Sequence, residues 1–251
     1  MNDGLGAVCD GFSISSRLFV KLEMAPERDT VLGFFDRIRK EFPTLTKLRL
    51  RDGGTLVIEE DRAEDESRRW LRLDPSSLRF GHYGPPDIDA VRRFGEVVLT
   101  QAPYYLTFSD IDFDHLELTY GFELEYQGNH DQLVAETILG EHAGMGFLFG
   151  DHAHSVIDAQ PYFGVSLTPE CDLQAYVEVK SRTNTFEVRS GSYELQPISV
   201  FLTVRRYWSV EPPPTLTDVL STLFDHADEL AAEKVVPLFV NPLAAAIASR
   251  P

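Results

Sequence analysis

The feature that most restricts the fold of this chain is a stretch of strict alternation, LELTYGFELEY at residues 116–126. Apolar side chains occupy every second position, and Glu117, Glu123 and Glu125 stand between them. Side chains of a β-strand point alternately to its two faces, so this pattern predicts a strand with one buried face and one polar face. Such strands belong to an antiparallel sheet that is covered on one side only.

The elements before this strand follow a recognisable order. Residues 11–24 alternate like a strand, and residues 28–42 place apolar side chains at helical spacing. Two hairpins follow, with turns at Asp52-Gly53-Gly54 and at residues 74–77, and Pro85-Pro86 then opens a second helix.

The elements after it repeat this order. Residues 130–139 suit a short helix that ends at Gly140, and Thr215 caps a long C-terminal helix. Between them the sequence predicts strands near 153–168, 172–181 and 194–208, with a further short strand at Thr185–Val188.

Both halves therefore read as strand, helix, meander, helix. We predict an α+β fold of two docked strand-helix-meander-helix units, residues 1–105 and 106–251, whose antiparallel sheets are covered by helices on one face. One continuous domain is the alternative. No residue-level repeat links the halves, so internal duplication is inferred from element order only.

This element order resembles the TATA-binding-protein-like class of folds, which includes the lipid-binding helix-grip proteins, over most of residues 11–232. The first half also resembles a sparsely distributed family of uncharacterised bacterial proteins. That likeness lies in the strand-to-helix opening, the EFP at 41–43, the strand pair around Trp70, and LELTYGFELEY. Neither resemblance implies an activity or particular site residues, since one fold serves many functions.

Charge is distributed unevenly along the chain. The net charge is −17, of which residues 1–100 contribute −2 and residues 101–251 contribute −15. Residues 94–179 contain fifteen acids and no Lys or Arg. Such a segment repels phosphate backbones and anionic lipids, which argues against nucleic-acid and membrane partners.

The termini and cysteines indicate a compartment. No signal peptide is evident at the N-terminus, and two distant cysteines favour a reducing, cytoplasmic location. The apolar tail at 235–248 contains two prolines and spans only fourteen residues, which predicts that it packs on its own sheet or in a groove of a second subunit rather than crossing a bilayer. A homodimer is expected.

The richest candidate for chemistry is GEHAGMGFLFGDHAHSVIDAQ at 140–160. On a strand, His152, His154 and Asp158 share one face, and imidazoles with a carboxylate form a ligand set for zinc or another divalent metal. Glu123 and Glu125 can complete this set, and a glycine-rich loop carrying His142 can close over it. A metal-activated water would then support hydrolysis. The candidate ligands are therefore His142, His152, His154, Asp158, Glu123 and Glu125.

A plainer interpretation is favoured. Odd-numbered side chains from 153 to 167 form the apolar face of the predicted strand, so His152 and His154 occupy its polar face, where they meet solvent. A lone His-x-His has no spacing that defines a metal geometry. The leading hypothesis is thus a non-catalytic binding or assembly protein, whose acidic second half meets a basic partner, a cation or a small polar ligand. The alternatives are the metal-dependent hydrolase and a carrier of hydrophobic ligands with a cavity beneath the helix at 216–232.

Overall fold

The computed structural model of the chain describes residues 4–24, 27–61, 67–140, 142, 145, 155–208 and 214–250. The fold is α+β, and 33% of the described residues are in strands and 41% in helices. The described strands are β1 Gly11–Val20, β2 Leu45–Leu50, β3 Leu56–Glu60, β4 Arg68–Asp74, β5 Ser77–Tyr83, β6 Phe113–Tyr126, β7 Tyr162–Ser166, β8 Leu173–Lys180 and β9 Gln196–Tyr207. The described α-helices are α1 Arg28–Glu41, α2 Ile88–Leu106, α3 His130–Val134, α4 Thr185–Ser190, α5 Leu216–Leu230 and α6 Asn241–Ala248.

All nine strands form one antiparallel sheet, in the order β2-β3-β4-β5-β1-β6-β9-β8-β7. At the centre of the sheet β1 pairs over its whole length with β6. Counted outward from this centre, one side runs β1, β5, β4, β3, β2 and the other runs β6, β9, β8, β7. Strands from both parts of the chain therefore share a single sheet.

The hydrophobic core lies between this sheet and the helices on one of its sides. The alternation in β6 is confirmed, since Leu118, Tyr120 and Phe122 are fully buried. Phe80 of β5 contacts Phe94 of α2 edge-on, and ring contacts also join β6 to α5. Side chains at the positions between these point to the opposite side of the sheet, which we call the open face.

Local signals placed most element ends correctly. Gly53 and Gly54 both have positive φ in the predicted turn between β2 and β3, a conformation that glycine adopts without strain. The side chain of Asp87 accepts a hydrogen bond from the Ala90 N–H at the start of α2. Thr215 accepts in the same way from Asp218 at the start of α5.

The predicted short strand at Thr185–Val188 is wrong, because this segment is the helix α4. The Asn184 side chain accepts from the N–H groups of Phe186 and Glu187, and the Glu187 carboxylate accepts in return from the Asn184 N–H. This reciprocal capping box starts a helix and outweighs the β-branched side chains that suggested a strand.

The predicted strand with a buried face at 153–167 forms only in part among its described residues, of which Ala159 and Leu167 pack partly against the core. The described residues 155–161 have no regular secondary structure, and β7 begins only at Tyr162. Phe163 and Val165 lie on the helix side of the sheet, opposite Val177 and Ala175, yet they are 49% and 58% exposed. They are exposed because β7 is the outermost strand of the sheet, beyond the packed helices.

The C-terminal tail is longer and more regular than the sequence suggested. A π-helical segment, Ala231–Val240, accommodates Pro237 and joins α5 to α6. The resulting run, Leu216–Ala248, has 33 residues and is long and apolar enough to cross a membrane, which as a single helix is weak evidence for doing so. The expectation that the tail is too short to span a bilayer is thus corrected.

The same run packs on its own chain. The helix α5 buries Leu220, Leu223 and Ala227 fully against the core. These side chains lie where the hypothesis of a hydrophobic-ligand carrier places a cavity, beneath the helix at 216–232. In the tail, Leu243 is fully buried, and the Arg250 guanidinium donates to the hydroxyl of Tyr126 at 3.2 Å. Of the two predicted locations for the tail, the structure shows packing on its own fold.

Candidate functional site

The predicted glutamates lie where the alternation of β6 places them. Glu123 and Glu125 are on the open face, half-buried and exposed respectively. The Glu125 N–H donates to the carboxylate of Asp10 at 2.7 Å, and the Asp10 N–H donates to the Glu123 carbonyl at 2.9 Å. These backbone contacts anchor the start of β1 to β6 and leave both glutamate side chains directed away from the core.

Asp158 is not brought to these glutamates. It is exposed, in a loop that is tied to α3. The Ala159 N–H donates to the Asp131 carboxylate at 2.9 Å, and the Val156 carbonyl accepts from the Asn129 side chain. The loop therefore follows a helix, whereas a metal site would need Asp158 beside β6.

Of the three predicted histidine ligands, the structure describes His142. His142 is exposed, and His152 and His154 lie outside the described residues. Among the residues that the structure does describe, no group of three or more His, Cys, Asp or Glu side chains is arranged to hold a metal ion.

The part of the molecule that does concentrate chemistry is the open face of β1, β5 and β4. Arg17 of β1 lies directly opposite Arg79 of β5, and Arg79 lies directly opposite Arg72 of β4. Side chains that face each other across antiparallel strands have Cβ atoms only about 4.5–5.5 Å apart, and like charges in such pairs are destabilising. We call these three residues the arginine row.

The outer two members of the arginine row have compensating contacts. The Arg72 Nε donates to the Asp74 carboxylate at 2.8 Å. The Arg17 Nε donates to the Ser77 hydroxyl at 3.1 Å, and its guanidinium stacks on the ring of Phe19, 3.9 Å from the centroid.

The central member, Arg79, differs from its neighbours. No hydrogen bond or ion pair joins its side chain to any residue in the described part of the chain. Its positive charge is therefore held between two other guanidinium groups, with its own donors available to a ligand.

The pKa of Arg17 reflects the repulsion between neighbouring arginines in the row. Burial lowers the pKa of the Arg17 guanidinium, and the positive charge of Arg79 lowers it further. Glu117, which faces Arg17 on β6, acts in the opposite direction, but its carboxylate also accepts from Arg205 of β9 at 2.9 Å. Glu117 is thus shared with Arg205, whereas the Asp74 carboxylate, paired with Arg72, also interacts electrostatically with Arg17 and Arg79.

A cleft of about 330 Å³ opens on this part of the open face. Trp70 and Phe201 form opposing walls, and both rings lie close over glycines: a Cβ at Gly81 would be 2.9 Å from the Trp70 ring, and a Cβ at Gly121 would be 3.0 Å from the Phe201 ring. The glycines therefore allow the aromatic rings to lie flat against the sheet. The charged residues of the lining are Arg51, Arg68, Arg72, Arg79, Glu59 and Glu123.

The sequence pattern alone does not predict this cleft. The segments RRWLRL and SLRF each show polar residues at alternate positions, which indicates a solvated face of a strand. The signal that was available is the type of those polar residues, because arginine occupies three of them together with Trp70. Their convergence depends on the strand register, which alternation alone does not reveal.

Cysteine chemistry is not favoured near this region. Cys9 lies just before β1, and burial raises the pKa of its thiol to about 11. A thiol with such a pKa stays protonated at neutral pH and is a poor nucleophile.

Comparison with known proteins adds no assignment. No model of a protein family matches the chain, and no curated protein matches it either. The resemblances drawn from the element order and the first half therefore stay predictions, and the interpretation of function rests on the geometry of the open face.

Proposed function

We propose that this chain is a binding protein that holds a small anionic ligand in the cleft on the open face of its sheet. The observation that carries the proposal is the arginine row, and above all the guanidinium of Arg79, which lies between Arg17 and Arg72 and has no hydrogen-bond or ion-pair partner among the residues that the structure describes. Three like charges in direct register lower stability unless an anion joins them. A bound carboxylate or phosphate over Arg79 would relieve this repulsion.

The charge and size of the cleft agree with such a ligand. Its lining has four arginines and two glutamates, an excess of two positive charges. This excess stands out in a chain whose net charge is −17. Guanidinium groups bind carboxylates and phosphates through two parallel hydrogen bonds. A cleft of about 330 Å³ is at the small end of the volumes that hold small molecules.

The lining supports binding in preference to catalysis. The described residues around the cleft include serines, aromatic rings and charged groups, but neither a histidine nor a cysteine. General acid–base catalysis uses histidine most often, and a serine nucleophile needs an adjacent base to activate it. The metal-dependent hydrolase remains an alternative that depends on His152 and His154, which lie outside the described residues.

The test is the replacement of Arg79 by glutamine. Inorganic pyrophosphate and citrate, one phosphate and one carboxylate probe, are expected to raise the Tm of the natural chain. At about 100 times Kd the bound probe adds about 2.7 kcal/mol of stability, which is roughly 5–10 °C for a chain of this size. Arg79→Gln should abolish this rise, while the unliganded variant gains about 0.2–1 kcal/mol because a repulsive pair is removed.

The matched control is Arg37→Gln. Arg37 lies on the exposed surface of α1, paired with Glu41 at 2.9 Å, and its replacement changes the net charge by the same amount. This variant should keep the full response to both probes. A natural chain whose Tm responds to neither probe, or equal responses in the two variants, would refute the proposal.

An acidic site is a second candidate, in which Glu123 belongs to the acidic second half predicted from the sequence, whereas Asp10 and Asp87 belong to the first half. A cavity of about 400 Å³ next to the cleft is lined by three carboxylates, those of Asp10, Asp87 and Glu123. Asp10 and Asp87 accept backbone hydrogen bonds, whereas no cation is paired with Glu123 in the described part of the chain. This placement favours a cation or a basic group at the end of the open face.

We also propose that the two halves arose by duplication and that the chain resides in the cytoplasm. The equal strand order on the two sides of the β1–β6 pair supports duplication. Two free cysteines, Cys9 and Cys171, agree with a reducing compartment.

A further inference from the structure

The outer edge of β7 presents backbone groups that have no partner in the described part of the chain. Hydrogen bonds from the Val179 N–H to the Pro161 carbonyl at 3.0 Å and from the Leu167 N–H to the Leu173 carbonyl at 2.8 Å fix the ladder between β7 and β8. In an antiparallel pair, bonded positions alternate along each strand. The N–H and C=O groups of the residues between, at 162, 164 and 166, therefore point outward.

The two edges of the sheet differ in how they are protected. The edge strand β2 carries Lys47 and Arg49, and its register shifts at a bulge between Leu45 and Lys47. Edge charges and bulges are the usual means of preventing strands from pairing with other chains. The edge strand β7, YFGVS, has no charge, and its five residues are all exposed.

We propose that β7 pairs antiparallel with β7 of a second copy of this chain, around a two-fold axis at Gly164. This register bonds every outward N–H and C=O group of the three residues to the equivalent strand. It extends the sheet continuously across two subunits. The inference is independent of the anion-binding cleft, whose described lining comes from other strands than β7.

The side chains of β7 complement themselves in this register. Tyr162 would lie opposite Ser166 of the second copy, and Phe163 opposite Val165. Each pair sets a large side chain against a smaller one, and aromatic with β-branched pairs stabilise antiparallel strands. Burial of Phe163 and Val165, now about half exposed, adds a hydrophobic contribution.

Gly164 is suited to the axis itself. The ring of Tyr176 on β8 covers it so closely that a Cβ would be 2.6 Å from that ring. On that face the Tyr176 ring takes the place of a side chain at the axis. A two-fold interface uses the same patch on both subunits. Because β7 is complementary to itself in this register, a second copy of this chain fits the edge better than an unrelated peptide.

Sedimentation velocity over a range of protein concentrations tests this dimer. The natural chain should pass from monomer to dimer as its concentration rises, and more readily at raised ionic strength because two chains of −17 repel each other. Val165→Lys places a charge on the edge and should raise the dimer Kd about tenfold or more. Ser166→Pro removes one outward N–H that makes no hydrogen bond to β8. This variant should therefore also raise the dimer Kd.

The matched control is Leu50→Lys on the other edge strand, where the natural side chain is 72% exposed. This variant should dimerise like the natural chain. Circular dichroism establishes that each variant is folded, and hydrogen exchange at residues 162, 164 and 166 should slow as the natural chain dimerises. A natural chain that stays monomeric, including one whose edge takes a strand of another protein, overturns the proposal, as does a dimer that Val165→Lys leaves intact.

Discussion

Tyr120 shows how one buried polar contact ties the helices to the sheet. Its side chain is fully buried, and its hydroxyl donates to the Asp228 carboxylate on α5 at 2.6 Å. Burial raises the pKa of Tyr120 far above its usual value, so the hydroxyl remains a donor. Burial also raises the pKa of Asp228, whereas the hydrogen bond from Tyr120 and the charge of Arg92 lower it.

Tyr120→Phe should therefore destabilise the fold. Removing a partner from a buried polar group costs about 1–3 kcal/mol, which is measurable by urea denaturation at neutral pH. The raised pKa of Asp228 means that its carboxylate binds a proton more readily in the folded state, so the loss should shrink as pH falls through that pKa. At neutral pH the acceptor is charged and the bond is strongest.

The control for this change is Tyr104→Phe. Tyr104 is 80% exposed at the end of α2, and loss of its hydroxyl should alter the free energy of unfolding by less than about 0.5 kcal/mol. Equal effects of the two variants, or a Tyr120→Phe loss that does not depend on pH, would show that the contact with Asp228 does not contribute.

At the scale of elements, the helical run Leu216–Ala248 combines two environments. Its first part, α5, is embedded in the core, and its last part alternates between buried and exposed apolar side chains. Leu243 is fully buried, whereas Leu238 is 59% exposed. Tertiary packing, more than helix propensity, therefore determines where the tail lies.

Leu243→Ala should cost about 2–5 kcal/mol of unfolding free energy, the range for a buried leucine. Leu238→Ala, five residues earlier, should cost less than about 0.5 kcal/mol. Urea denaturation of both variants measures the difference. Two small and equal losses would mean that the tail is not packed on the fold in solution.

The capping box of α4 illustrates what local patterns reveal and what they conceal. The letters NTFE at 184–187 contain the asparagine and glutamate of the box, so the helix was recognisable from the sequence. The prediction of a short strand at Thr185–Val188 did not take this box into account. A specific side-chain hydrogen bond outweighs a small difference in intrinsic propensity.

At the scale of the whole molecule, a net negative charge coexists with a positively charged region on the open face. The chain carries −17, yet six arginines project from the first half of the open face or its rim. They are Arg17, Arg49, Arg51, Arg68, Arg72 and Arg79. Average charge by sequence position therefore does not describe the surface that a ligand meets, because β-strands sort residues by face.

The acidic second candidate predicts a local effect on a basic probe. A short polylysine peptide should bind more weakly to the double variant Glu123→Gln, Glu125→Gln, and its binding to the natural chain should fall with salt. The double variant Glu229→Gln, Glu233→Gln removes two exposed charges from the C-terminal helices and should bind like the natural chain. Binding is measured by fluorescence titration. Equal weakening in both variants would show that the peptide responds to the net charge of the chain and not to a local acidic site.

Much of the secondary structure follows from local patterns. The alternation in β6, the helical spacing of α1 and the positive φ at Gly53 and Gly54 depend on residues close together in the chain. Steric limits on the backbone and short-range hydrogen bonds act at that range. These elements were therefore predictable without knowledge of their neighbours.

The sites, by contrast, depend on long-range pairing. Arg17 and Arg79 are neighbours because β1 pairs with β5 in one particular register, and β7 is exposed because it is the last strand of the sheet. The alternation within a single strand predicts neither fact, because it indicates which side chains share a face and not which strand lies beside them. Strand order and register, set by the packing of the whole chain, brought the arginines together and left one edge open.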